Sequence, residues 1–176
     1  GMRIAIPKVQ LRAQKSKIAE NGTVTHYPAD DGEGLDAACD IGTTTVVCHL
    51  IDGKTGEKLA TVSEPSAQRS FGADVLSRIQ AAEAGKLEIL KEQIIFQIAQ
   101  MLRTLQKKTG RGEQIQRLAV VGNTVMCHLF AGISPVSIGV TPFMPQEFFG
   151  KEYTGEQLGL TDCRSVYIAP AVAGFV

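Results

Sequence analysis

Asp40-Ile41-Gly42-Thr43-Thr44-Thr45 closes one apolar run and opens the next. Upstream, Leu35-Asp36-Ala37-Ala38-Cys39-Asp40-Ile41 is small and apolar enough for a buried strand that Gly42 ends. Downstream, Thr44-Thr45-Val46-Val47-Cys48-His49-Leu50-Ile51 is rich in β-branched residues, so a second strand follows at once. Asp52-Gly53-Lys54-Thr55-Gly56 reads as a hairpin turn whose glycines can take positive φ, and Lys58 to Ser63 should return as a third antiparallel strand. The result is a three-strand meander with its tightest turn at Gly42-Thr43.

Helices follow. Phe71-Gly72-Ala73-Asp74 introduces a short amphipathic helix through Val75, Leu76 and Ile79 to about Ala84, before Gly85. Leu87, Leu90, Ile94, Ile98, Met101 and Leu105 then recur every three or four residues, the stripe of a long helix packed on a core. Lys107-Lys108-Thr109-Gly110 ends it, with cations at the negative helix end and a glycine able to cap. Gln116 to Val121 reads as a buried strand running into Gly122-Asn123-Thr124, where Asn123 or Thr124 can cap a helix that reaches Phe130 and closes at Gly132. Residues 133–164 carry Pro135, Pro142 and Pro145 and read as a long irregular connection with at most short helical turns. Connections of that length in a compact domain are usually functional. Ser165 to Ala169 is a last strand, and residues 170–176 are an apolar tail that predicts self-association. Three strands, helices, strand, helix, strand make an α/β fold with a mixed five-stranded sheet and helices on both faces.

Residues 1–35 differ in texture. Arg3 to Leu11 alternates loosely around Pro7, as an edge strand or extended arm does, and residues 21–35 are acidic and turn-rich, as a linker is.

Composition narrows the function. Eighteen Lys plus Arg balance eighteen Asp plus Glu in 176 residues, which argues against an electrostatic nucleic-acid binder. No apolar run approaches the roughly 20 residues that span a bilayer, and the N-terminus lacks a signal-peptide core, so the expected location is cytoplasmic. Cys39, Cys48, Cys127 and Cys163 are scattered without a CxxC pair and read as ordinary buried thiols. Cys48-His49 and Cys127-His128 invite a zinc site, but neighbours in a strand point to opposite faces, which works against Cys48 and His49 sharing one metal.

The turn at Gly42 also has chemistry attached. A glycine in a tight turn lets successive backbone N–H groups face outward as an anion nest, and the hydroxyls of Thr43, Thr44 and Thr45 add donors for phosphate oxygens. Asp40, at the end of the preceding strand, would set a carboxylate beside those phosphates, able to hold a hydrated Mg²⁺. Neither GxxxxGK[ST] nor GxGxxG occurs, so this is a phosphate clamp without a lysine. Threonine-rich strands after a glycine turn also serve as plain structure, and pattern alone does not separate the two.

Asp40-Ile41-Gly42-Thr43-Thr44-Thr45 resembles the first phosphate motif of the acetate and sugar kinase, heat-shock chaperone and actin superfamily. Val121 to Leu129, Gly139-Val140-Thr141-Pro142-Phe143, Arg69 to Ile79 and Ile168 to Val176 resemble, more narrowly, the ATPase domain of the reductive activators of corrinoid proteins. The resemblance implies a ribonuclease H-like, actin-like ATPase lobe over residues 36–176, cut short at its C-terminus and preceded by the arm and linker. It further implies Mg-ATP as ligand, ATP-dependent reduction of a cobalt(II) corrinoid to cobalt(I), and a corrinoid protein or methyltransferase as partner. By match, Asp40 would hold a magnesium-bound water, Gly42, Thr43, Thr44 and Thr45 would embrace the phosphates, and Asn123 and Thr124 would form a second turn facing the same side. With no cysteine cluster, no iron–sulfur cluster is expected in this chain, although full members of the family carry one. Two alternatives remain: a non-catalytic interaction module that keeps the lobe and uses residues 133–164, or a fragment of a sugar or acyl kinase.

Overall fold

A computed structural model describes residues 17–18, 24–26 and 34–170. The expected arm strand at Arg3 to Leu11 and the tail at residues 171–176 lie outside the described residues. Residues 21–35, expected to be linker throughout, contain a strand: β2 (Val24–His26) pairs antiparallel with β1 (Lys17–Ile18) in a separate two-stranded sheet. Asn21-Gly22 between them is a hairpin signal that a linker reading passes over.

The main sheet has six strands in the order β5-β4-β3-β6-β8-β7. The meander is as expected: β3 (Leu35–Ile41), β4 (Thr45–Asp52) and β5 (Lys58–Pro65) pair antiparallel. In the turn between β4 and β5, Gly56 takes a φ of 75°, whereas neither Gly53 nor Gly42 is among the positive-φ glycines. β6 (Ile115–Gly122) and β8 (Cys163–Ile168) continue parallel to β3, and β7 (Lys151–Thr154) closes the edge antiparallel to β8. The sixth strand corrects the expected count of five. It falls with α4 (Gly155–Leu158) inside the stretch expected to be irregular. Lys-Glu-Tyr-Thr is short, polar and largely exposed, as an edge strand is, and offers no apolar alternation to read.

α1 (Val75–Ala81) and α2 (Leu87–Thr109) are separated at Gly85, whose φ of 92° interrupts the helical backbone. Leu90, Ile94, Ile98, Met101 and Leu105 of α2 are buried as their spacing requires, and Gly110 ends the helix in the left-handed conformation. α2 and α3 (Thr124–Ala131) meet the sheet face that presents Leu35, Ala37, Cys39, Ile41, Val46, Cys48, Leu50, Leu118 and Val120, and together they make the core. The opposite face, with Asp36, Ala38, Asp40, His49, Arg117 and Ala119, is also buried, but no helix covering it is among the described residues.

The cysteines need one correction. Cys39 and Cys48 were expected to be separate thiols, yet they are direct partners across β3 and β4, with Cα atoms 4.3 Å apart, and form a disulfide. The hairpin register brings them together, and their spacing in sequence does not announce it. Cys127 and Cys163 are buried free thiols, each pushed up to about 12 by burial.

His49 gives the sheet a pH signature. Its Nδ1 lies 2.7 Å from the Thr61 hydroxyl, and burial first, then the charge of Lys58, lowers its pKa to about 4. Between roughly pH 6.5 and 4 the unfolded chain binds a proton that the folded chain refuses, so the contribution present above pH 6.5 is lost as pH falls. Urea unfolding of a His49→Gln variant should therefore show a shallower acid loss than the native chain, by on the order of 2 kcal/mol between pH 7 and pH 4. Equal slopes in the two proteins would contradict the assignment.

Candidate functional site

β3 and β6 run parallel with Asp40 opposite Val121 and Ile41 opposite Gly122, so both strands release their loops at the same level. Gly122 permits a close approach. A Cβ there would stand 2.7 Å from the Ile41 side chain and 2.9 Å from its carbonyl oxygen. The turn at residues 42–45 and the turn at Asn123 therefore lie side by side.

The first turn is closed by the Gly42 N–H donating to the Thr45 carbonyl at 2.9 Å. Two more of its carbonyls are engaged: the Ser66 N–H donates to Thr44 O at 2.8 Å, and Arg78 Nη2 donates to Thr43 O at 2.5 Å. The backbone N–H groups of Thr43 and Thr44 have no partner among the described residues. Two free amides, with the Thr44 side chain exposed and those of Thr43 and Thr45 half-buried, form a donor surface suited to an anion.

Asn123 serves both turns. Its Oδ1 accepts from the Met126 N–H at 2.8 Å, capping α3, while its Nδ2 donates to the Thr43 hydroxyl at 3.1 Å. Asn123→Ala should cost about 1 kcal/mol in stability through the lost cap, and should also free the Thr43 hydroxyl. Differential scanning calorimetry checks the first and rotamer-sensitive methyl shifts of Thr43 the second; an unchanged melting temperature would contradict the capping role. Thr124, the first residue of α3, is only 5% exposed, and its carbonyl lies 2.7 Å from His128 Nδ1.

Asp40 is 9% exposed, and burial raises its pKa to about 6. No hydrogen bond or ion pair satisfies its carboxylate among the described residues. The donor set fits a hydrated divalent cation: one desolvated carboxylate beside a turn of free amides, in want of a positive charge. No group of three or more His, Cys, Asp or Glu able to hold a metal directly occurs among the described residues. The cysteines, one pair joined and the others buried apart, do not fit an iron–sulfur cluster.

Sequence reasoning missed Arg78, which is fully buried and reaches Gly72 O at 2.9 Å and Gln68 Oε1 at 3.3 Å as well as Thr43. The signal was present, because Arg78 lies in the stretch Arg69 to Ile79 already singled out. It named His128 only beside Cys127, as part of a possible zinc site, and missed the role that the structure gives it. Nδ1–H of His128 donates to Thr124 O, and Nε2 accepts from the N–H groups of Gln146 and Glu147, both at 3.2 Å. Phe149 stacks edge-on to the same ring at 5.2 Å. The loop held this way carries Val140, Phe143, Met144 and Phe148, all about half exposed. A separate groove of about 530 Å³ between α2 and Leu158, lined in part by Lys91, Phe96 and Arg103, touches none of these residues.

A mixed sheet opening on an antiparallel meander, with parallel strands that end together at two neighbouring turns, is an α/β fold of the reductive-activator ATPase type. Within that class, residues 35–176 match the family described as the RACo middle region, and the chain belongs to it. It is 30% identical over 166 residues to the corrinoid activation enzyme RamQ of Eubacterium limosum, covering 90% of this chain and 28% of RamQ. Among solved structures it is similar to a reductive activator for a corrinoid, iron–sulfur protein, with a TM-score of 0.76 and 32% identity over 88% of this chain and 26% of the other. The chain thus spans about a quarter of the length of the relatives it matches.

Proposed function

We propose that this chain is the nucleotide-phosphate-binding lobe of an ATP-dependent reductive activator, which returns a corrinoid protein from cobalt(II) to cobalt(I) for methyl transfer. The observation that carries the reading is the turn at Gly42–Thr45, with three of its carbonyls hydrogen-bonded, two amides without a partner among the described residues and Asp40, likewise without one, beside it. Family membership and the likeness to corrinoid activators support the biological setting.

In this reading the Thr43 and Thr44 amides and the threonine hydroxyls bind phosphate oxygens, and Asn123 keeps the Thr43 hydroxyl in register. Asp40 would hold the water shell of Mg²⁺, which when bound neutralises phosphate charge. The nucleotide's binding energy would then favour one arrangement of the complex over another. Electron delivery is not assigned to this chain, because its cysteines do not fit a cluster. A cytoplasmic location is part of the proposal; no described helix is long and apolar enough to cross a membrane.

Isothermal titration with Mg-ATP tests it. Binding that Asp40→Ala and Gly42→Val abolish supports the site, and an isotherm unchanged in those variants overturns it. A second reading, an interaction module that keeps the fold, is favoured by one observation: the apolar side chains of Val140, Phe143, Met144 and Phe148 exposed on the loop held by His128. It predicts capture of a corrinoid protein or methyltransferase regardless of nucleotide, and sedimentation would show any self-association in the same samples.

A further inference from the structure

The turn at Gly42–Thr45 lacks the lysine that phosphate-binding loops commonly carry, and Asp40 beside it is an anion. We propose that Arg78 supplies the missing charge from beneath the turn, acting as the positioning residue that sets anion affinity at Thr43 and Thr44. This rests on the phosphate-binding reading above.

The guanidinium is fully buried and held only by uncharged partners: Gly72 O, Gln68 Oε1, Thr43 O and, at 3.3 Å, the Met126 sulfur. No carboxylate lies within ion-pair distance of it among the described residues. Asp74, the acidic group whose charge it feels, is engaged at the start of α1, accepting from the Ser77 N–H at 2.8 Å and from the Ser77 hydroxyl at 2.5 Å. Burying a cation without a counter-ion costs several kcal/mol, and a staple between loops could be made with neutral groups. An arrangement that keeps the positive charge leaves it available to something that comes from outside.

The geometry gives that charge a route. Thr43 C=O and Thr44 N–H belong to one peptide group, and a charged donor on the oxygen withdraws electron density from the nitrogen, strengthening the N–H as a donor. The Thr44 amide is one of the two in the turn without a hydrogen-bond partner among the described residues. Arg78 therefore acts on an anion through the peptide plane, without touching it.

The preceding segment is built to aim the side chain. Gly72 has a φ of 153°, and a Cβ there would meet Ser77 Oγ at 2.6 Å and Arg78 N at 3.0 Å. Asp74 and Ser77 form a reciprocal cap that fixes the first turn of α1, and Arg78 follows directly. Gln68 Nε2 donates to Leu90 O at 2.7 Å, which anchors the second acceptor to α2.

The test compares the 176-residue chain with Arg78→Lys and Arg78→Met, measuring Mg-ATP and magnesium pyrophosphate affinity, urea unfolding and the Thr44 amide proton shift. Affinity should fall in the order native, Lys, Met, with Arg78→Met losing roughly tenfold or more for both ligands. Arg78→Met should also lose stability, because Gly72 O, Gln68 Oε1 and Thr43 O lose their donor, so affinities are compared under conditions in which each variant is folded. The Thr44 amide proton should move upfield in both variants. Should Arg78→Met fail to fold, Arg78→Lys carries the test through its affinity and its Thr44 shift. Native affinity in the variant that folds, or an unmoved Thr44 amide, overturns the role of Arg78. No binding by the native chain overturns the phosphate reading itself, and the Thr44 shift still reports on Arg78.

Discussion

Asp40→Asn will make the folded chain more stable at pH 8 and, at the same time, unable to hold magnesium nucleotide. Burial raises the Asp40 pKa from 3.8 to about 6, so folding must keep a carboxylate charged where it is poorly solvated. The sign follows from proton linkage. Above about pH 6 both states are ionised and the folded state carries the whole penalty; as pH falls towards 3.8 the folded chain takes up the proton first and the penalty disappears. Removing the charge should thus add on the order of 2 kcal/mol at pH 8, or roughly 4–8 °C in melting temperature, and nothing below about pH 4. Calorimetry across that range measures it. A variant less stable than the native chain at pH 8 would show that Asp40 has a neutralising partner and no call for a cation.

The second large effect concerns the same sheet face. Arg117 Nη2 and Asp36 Oδ2 lie 3.6 Å apart across parallel strands β6 and β3, with side chains 3% and 4% exposed. Breaking such a pair leaves a charge buried, so Arg117→Met should cost about 3–5 kcal/mol and lower the melting temperature by roughly 6–20 °C. Combining it with Asp36→Leu should recover most of that loss, since two apolar groups of similar size replace both charges. Urea unfolding of the three proteins decides the matter. A single variant that loses less than about 1 kcal/mol would mean the pair is not what fixes β3 against β6.

What the sequence made legible was local. The β-branched run of β4, the three-and-four spacing of α2 and the caps at Asn123, Gly110 and Gly132 are written in adjacent residues, and each appears where it was expected. That the two turns lie together came only from the family resemblance, since nothing in the residues themselves pairs β3 with β6. The misses were non-local or weakly patterned. The Cys39–Cys48 bond depends on hairpin register, and the Arg78 contact with Thr43 on how α1 lies under the turn. The hold of His128 on the loop depends on residues 146–147 folding back onto α3, which its neighbour Cys127 and the helix around it do not announce. β7 is four residues, Lys-Glu-Tyr-Thr, too short for an alternation to show, and its pairing comes from its neighbour β8.

The turns at Gly42–Thr45 and Asn123 should act as one anion site. Backbone amide shifts, followed while Mg-ATP is added to the isotopically labelled chain, test it most directly. The account predicts that the Thr43 and Thr44 amides move most, downfield and saturably, with Gly42 and Asn123 following and the groove along α2 at Lys91 and Arg103 unmoved. Saturable shifts confined to that groove, with the Thr43 and Thr44 amides unchanged, would contradict it.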